Sequence, residues 1–129
     1  MPEDLLYRDE VYRIVGACWP FTKTRGMDMW SRFIRMHLRS NWNFFGISFD
    51  AQRNYQIHYR DRPLKHTYTP DLLCFDKIIV ELKAAKALTD EHRAQLLNYL
   101  KVTRLHLGLL VNFGSYPRLE WERIVLTHH

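Results

Sequence analysis

The stretch from Thr69 to Lys83 constrains the fold of this chain more than any other. It holds two short apolar runs, Leu72 to Phe75 and Ile78 to Val80, on either side of Asp76 and Lys77. That length and composition suit a pair of strands joined by a tight turn. Three charged residues, Asp71, Glu81 and Lys83, stand where buried strands should carry none. Such side chains are rarely buried unless they are paired or hold an ion, so the mismatch marks a site rather than a scaffold.

With a two-residue turn at Asp76-Lys77, Phe75 faces Ile78 and Asp71 falls opposite Leu82, one step from Glu81 and Lys83. A register slipped by one residue is the alternative. In either case opposite and diagonal neighbours lie within roughly 5 to 8 Å, so the three charges converge. Strand alternation places Glu81 and Lys83 on one face and Leu82 on the other. Two carboxylates held so close repel each other, and a cation relieves the repulsion. Oxygen ligands suit a hard ion such as Mg²⁺, and a neighbouring lysine can orient or deprotonate a water. The bland alternative is a salt bridge from Lys83 to Glu81 or Asp71.

The remaining elements follow from periodicity. Val11, Ile14, Val15 and Cys18 recur at helical spacing between Leu5 and Trp19, before Pro20, which predicts a first helix. Met29, Trp30, Phe33, Met36 and His37 line one side of a second, reaching to about Arg39, whose other side carries Arg32, Arg35 and Arg39. Strands are expected over Phe44 to Phe49, Tyr55 to Tyr59 and Leu64 to Phe75, the last two joined by a turn at Arg60-Asp61-Arg62-Pro63. A strand over Ile78 to Ala84 comes next, and Thr89-Asp90-Glu91 then caps a helix from about Glu91 to Lys101. The apolar run from Leu105 to Val111 and the segment from Leu119 to Leu126 complete a mixed sheet with helices packed on it.

At 129 residues the chain suits one domain, residues 1–129. It has no apolar run long enough to span a bilayer and no signal-peptide pattern at its start, so the expected compartment is cytoplasmic, away from membranes. Two cysteines, Cys18 and Cys74, fit neither a disulfide framework nor a zinc pattern and are expected to be reduced. A net charge of +5 points to a polyanionic partner. No helix-turn-helix, zinc finger or glycine-rich phosphate loop is present, which leaves sequence-specific recognition without support.

Pro70-Asp71, nine intervening residues and then Glu81-Leu82-Lys83 resemble the signature of the PD-(D/E)xK nuclease superfamily. The runs Ile79 to Ala84, Ala94 to Lys101 and Leu107 to Gly114, with the early Ile14-Val15-Gly16-Ala17, more closely resemble the small prokaryotic GxxExxY protein family. The resemblance covers nearly the whole chain and implies an α/β fold with a restriction-endonuclease-like core, a mixed sheet flanked by helices. It implies metal binding, of Mg²⁺ or Mn²⁺, by Asp71, Glu81 and the backbone carbonyl of Leu82, and a catalytic role for Lys83. Gln95 and Tyr99 match the QxxxY pattern of RecB-like nucleases, whose helix faces the site. His92, Gln95 and Tyr99 also share one arc of that helix. The alternatives are a core role for Tyr99 and a helix-capping role for His92.

The chain departs from the GxxExxY pattern in its second helix. Counting from Gly26, Met29 and Arg32 stand where the family has Glu and Tyr. Asp28, Glu10 and His37 are the candidates to replace the acid, and without one the site has two carboxylates. Arg32, Arg35 and Arg39, with Arg53, Arg60, Arg62 and Lys65, are candidate phosphate contacts, weighed against a solvated charged face.

These features predict a divalent-metal-dependent nuclease acting on DNA, with RNA as the second candidate. Gln95 would orient a ligand or Lys83. The alternative is a nuclease-fold module with weak or absent catalysis that binds nucleic acid or a protein. A third class is a structural homodimer with the tyrosine hairpin as its interface.

Overall fold

Val11, Ile14 and Cys18 form the buried face of helix α1 (Arg8–Cys18), with Ala17 beside them. The structure, a computed structural model, describes residues 6–18, 42, 46–115 and 118–127. The expected second helix, with Arg32, Arg35, Arg39, Asp28 and His37, lies outside these residues, as do positions 44 and 45 of the strand expected from Phe44 to Phe49.

Among the described residues, seven strands and one further helix follow α1: β1 (Phe49–Asp50), β2 (Tyr55–Tyr59), β3 (Arg62–Tyr68), β4 (Leu72–Cys74), β5 (Ile78–Lys83), α2 (Asp90–Thr103), β6 (Leu107–Asn112) and β7 (Glu120–Val125). Five of them make one sheet in the order β1-β4-β5-β6-β7. The β5–β6 pair is parallel and the others are antiparallel, so the sheet is mixed. The segment expected to run unbroken from Leu64 to Phe75 is divided. β3 pairs with β2 in a separate hairpin, and β4 joins the main sheet after Thr69-Pro70-Asp71. Pro70 has no N–H to give to a ladder, which suits the chain to changing sheets there.

Strand alternation gives the sheet two apolar faces. Leu72, Cys74, Ile78, Val80, Leu107, Leu109 and Val111 pack with α1. Leu73, Ile79 and Leu110 pack on the other side with Leu96 and Leu100 of α2 and with Tyr68. Gly108 lies under α2, where a Cβ would come within 2.8 Å of the Leu96 side chain. Its missing side chain lets the helix approach the sheet. Arg93 ties α2 to β7 through Glu122, at 2.6 Å. Cys18 and Cys74 are free and buried, and burial pushes both thiols up. Among the described residues no helix is long and apolar enough to cross a membrane.

The β4–β5 connection differs from the two-residue turn expected. Cys74 pairs with Ile78, so Phe75, Asp76 and Lys77 form the loop, closed by the Lys77 N–H donating to the Cys74 carbonyl at 3.1 Å. Phe75 and Asp76 adopt left-handed backbone conformations, φ 54° and 58°, at roughly 1 to 2 kcal/mol each. Phe75 offsets its share by donating its N–H to the Ser48 carbonyl, 2.8 Å away, and by packing against the α1 core.

The segment after β5 is fixed by one buried amide. Asn112, wholly buried at the end of β6, accepts hydrogen bonds from the N–H groups of Ala85 and Gly114, both at 2.9 Å. Its Nδ2 donates to the Ala85 carbonyl at 2.8 Å and to Glu120 at 3.0 Å. Glu120 also accepts from the Leu88 N–H at 2.9 Å. The backbones come so close here that a Cβ on Gly114 would meet Ala85 oxygen at 2.4 Å. Asn112→Ala would leave both polar groups of the Ala85 backbone without their partner, a loss of about 3 kcal/mol. Urea unfolding should show this as a lower midpoint with an unchanged slope.

Candidate active site

The one-residue slip in the β4–β5 register decides the geometry of the site. Leu72 pairs with Val80 and Leu73 with Ile79, and the same pairing continued one step sets Asp71 opposite Glu81. Directly opposed residues share a face, and a slip of one residue exchanges faces. In the register first expected, Asp71 would have pointed with Leu82 toward α1. In the observed one, Asp71, Glu81 and Lys83 all project toward α2.

Each of the three side chains has a defined neighbour. Asp71 Oδ2 accepts a hydrogen bond from the Leu82 N–H at 2.8 Å, locking the carboxylate onto β5. Glu81 is only 7% exposed, and its Oε1 accepts from the Tyr68 hydroxyl. Lys83 Nζ donates to Gln95 Oε1 at 3.3 Å, so it engages α2 rather than a carboxylate. That placement departs from the simple salt-bridge reading.

Burial pushes the Glu81 carboxyl up to about 7. The Tyr68 hydroxyl works against that rise, and the adjacent Asp71 carboxyl adds to it. Burial and the Glu81 carboxyl likewise push the Tyr68 hydroxyl up, so it remains a donor.

Tyr68 anchors the site to the rest of the fold. Its ring stacks on Tyr99 of α2 with centroids 3.8 Å apart, and on Tyr55 of β2 at 6.4 Å. One face of the Tyr99 ring is thereby taken by Tyr68. Sequence reasoning passed over Tyr68, although its place three residues before Asp71, at the end of an alternating strand, was a usable signal. It also passed over Asn112, the single polar residue closing the β6 run, which pairs with Lys83 across the parallel ladder.

Two candidates are settled by their contacts. His92 forms a capping box with Thr89: the His92 N–H donates to Thr89 Oγ1 at 3.3 Å, and the Thr89 N–H donates to His92 Nδ1 at 3.1 Å. Glu10 is engaged away from the Asp71–Glu81 pair. It pairs with Lys77 at 2.6 Å on the α1 side, and that pairing lowers its pKa. Four residues of strand, about 13 Å, separate Lys77 from Glu81. Arg32, Arg35 and Arg39 are outside the described residues.

The two crowded carboxyls present hard oxygen donors, the kind that Mg²⁺ and Mn²⁺ accept with water completing the shell. Among the described residues no group of three or more His, Cys, Asp or Glu side chains converges on one point. Asp71 and Glu81 by their chemistry offer a donor set that fits a hydrated divalent ion.

Residues 8–124 match the sequence model of the PD-(D/E)XK nuclease superfamily. The chain belongs to this superfamily. The mixed sheet flanked by helices is its restriction-endonuclease-like fold. Among solved structures, the crystal structure of SSO0001 is similar with a TM-score of 0.58 at 18% identity, over 77% of this chain. The match covers 51% of SSO0001, so this chain spans about half its length, and the likeness is one of fold. No curated protein matches the chain. As a superfamily member the chain has the fold of proteins that are generally nucleases and typically use divalent metals.

Proposed function

We propose that this chain is a Mg²⁺- or Mn²⁺-dependent nuclease that hydrolyses phosphodiester bonds of DNA as a single cytoplasmic domain. Within the superfamily, its motifs favour the GxxExxY group. The observation that carries this reading is the pair of facing carboxyls, Asp71 and Glu81, with Lys83 on the same side of the sheet.

Asp71, Glu81 and the carbonyl of Leu82 would hold the ion, which when bound supplies Lewis acidity to the phosphate and to a water. The protein residues divide the remaining tasks. The Leu82 N–H fixes the Asp71 carboxylate. Tyr68 fixes Glu81 through its hydroxyl. Lys83, steadied by Gln95, takes the proton from the attacking water or offsets charge on the phosphate.

A binding module that has lost catalysis is the second reading, favoured by Met29 and Arg32 where the family has Glu and Tyr. Plasmid and oligonucleotide cleavage with Mn²⁺, Mg²⁺ or EDTA separates the two. The nuclease reading expects cleavage that needs the ion and disappears in Asp71→Ala. Calorimetry showing no binding of Mn²⁺ at millimolar concentration would exclude the enzyme.

A further inference from the structure

The β2–β3 hairpin stands apart from the main sheet, and it is the most basic stretch among the described residues. Residues 52–67 carry Arg53, Arg60, Arg62 and Lys65 against Asp61 alone. Three of the chain's five net positive charges therefore sit on this one ribbon, whose basic side chains are exposed.

Its tip is built against turn propensity. Arg60 and Asp61 form the two-residue connection with φ 50° and 63°, a conformation that favours Asn-Gly. An arginine at such a position costs roughly 1 to 2 kcal/mol and sets its side chain at the exposed end of the ribbon.

An aromatic ring stands beside that tip. Tyr59 pairs with Arg62, beyond a register shift between Gln56 and His58. Tyr55 and Ile57 are the partly buried members that pack toward α2. Tyr59 is 61% exposed, with the Arg60 guanidinium 5.4 Å from its ring centre. At the other end of the hairpin, Tyr55 stacks on Tyr68, whose hydroxyl donates to Glu81. The basic ribbon thus has its root in the candidate active site.

We propose that the hairpin is a docking arm for a single-stranded segment of nucleic acid. Tyr59 stacks on an unpaired base, while Arg60, Arg62 and Lys65 bind the flanking phosphates. A ring flanked by guanidinium groups suits a base face, which is available in a single strand and closed off inside a duplex. This deepens the nuclease reading and rests on it for the choice of polyanion.

The test is fluorescence anisotropy of the full chain in EDTA, so that binding is read without cleavage. The probe is a labelled single-stranded oligodeoxynucleotide, compared with its duplex and with an oligoribonucleotide of the same sequence. The single strand should bind more tightly than the duplex, and tighter binding of either the DNA or the RNA strand supports the arm and names its source. Tyr59→Ala should weaken single-strand binding about tenfold or more and leave the salt dependence unchanged. Arg60→Ala/Arg62→Ala/Lys65→Ala should flatten the slope of log affinity against log salt by about two. Both variants should keep the wild-type melting temperature.

Wild-type affinity and slope in the triple variant would overturn the proposal. So would a preference for duplex, or loss of binding to phosphatidylserine vesicles by the triple variant while oligonucleotide binding is untouched. Cleavage by the wild type together with normal binding by both hairpin variants would sink the arm and leave the nuclease. Binding lost in the hairpin variants of a chain that never cleaves would sink the nuclease and leave the arm.

Discussion

Glu81→Gln is expected to abolish cleavage and, in EDTA at pH 8, to make the protein more stable than the wild type. The first effect follows from the loss of one of two carboxylates proposed to hold the ion. Lewis-acid stabilisation is worth several kcal/mol, so the rate should fall by about 10³ or more. The second follows from burial. The Glu81 pKa rises from 4.5 to about 7 on folding, so between these values the folded state keeps a proton that the unfolded state has lost. Stability must therefore fall as pH rises through that window, by an amount on the order of 3 kcal/mol. Glutamine removes this titration, accepts from Tyr68 in the same place, and offers an amide donor to Asp71. Thermal melts between pH 5 and 8 should slope downward for the wild type and run flatter for the variant. Adding Mn²⁺ at pH 8 should raise the wild-type melting temperature and leave that of Glu81→Gln unmoved.

Lys83→Ala should also eliminate cleavage, by about 10² to 10⁴ for the loss of a positioned proton-transfer group, but its Mn²⁺ binding should survive. The difference lies in what each side chain touches. Glu81 faces Asp71, whereas Lys83 Nζ reaches Gln95 on α2. Gln95→Ala leaves the amine in place but unsteadied, and the expected loss is nearer tenfold to a hundredfold. Lys83→Arg should not restore activity, because a guanidinium does not give up its proton at ordinary pH. Single-turnover cleavage with saturating Mn²⁺, read beside calorimetric Mn²⁺ affinity, separates the chemical loss from the binding loss. Loss of Mn²⁺ affinity in Lys83→Ala would place the lysine among the groups that hold the ion, contrary to its assignment.

Much of this arrangement was legible in residue patterning. The period-two runs, the capping Thr89 and the turn signal over Arg60-Asp61-Arg62-Pro63 are local, and β2, β5, β6 and α2 fall close to where such signals set them, while the strand expected from Leu64 to Phe75 starts at Arg62 and ends at Tyr68. The β4–β5 register was not local. A two-residue turn is the short-range solution, but Phe75 gains more from the α1 core and Ser48 than it loses in a left-handed backbone. The resulting slip brought Asp71 onto the face of Glu81.

Two other features depended on tertiary contacts. Glu10 was compatible with the site by composition, and only the fold sets it on the other side of the sheet with Lys77. Tyr68 read as one tyrosine among seven, because its hydroxyl meets Glu81 through a change of sheet at Pro70 that periodicity cannot foresee.

The central claim is that Asp71 and Glu81 share a divalent ion. A crystal of the chain grown with Mn²⁺ tests it most directly, through the anomalous difference map. The account predicts a peak between the two carboxylates, with oxygen distances of about 2.1 Å and the Leu82 carbonyl beside it. A map with no peak between the two carboxylates, in which Glu81 still accepts from the Tyr68 hydroxyl and Asp71 from the Leu82 amide, would contradict it.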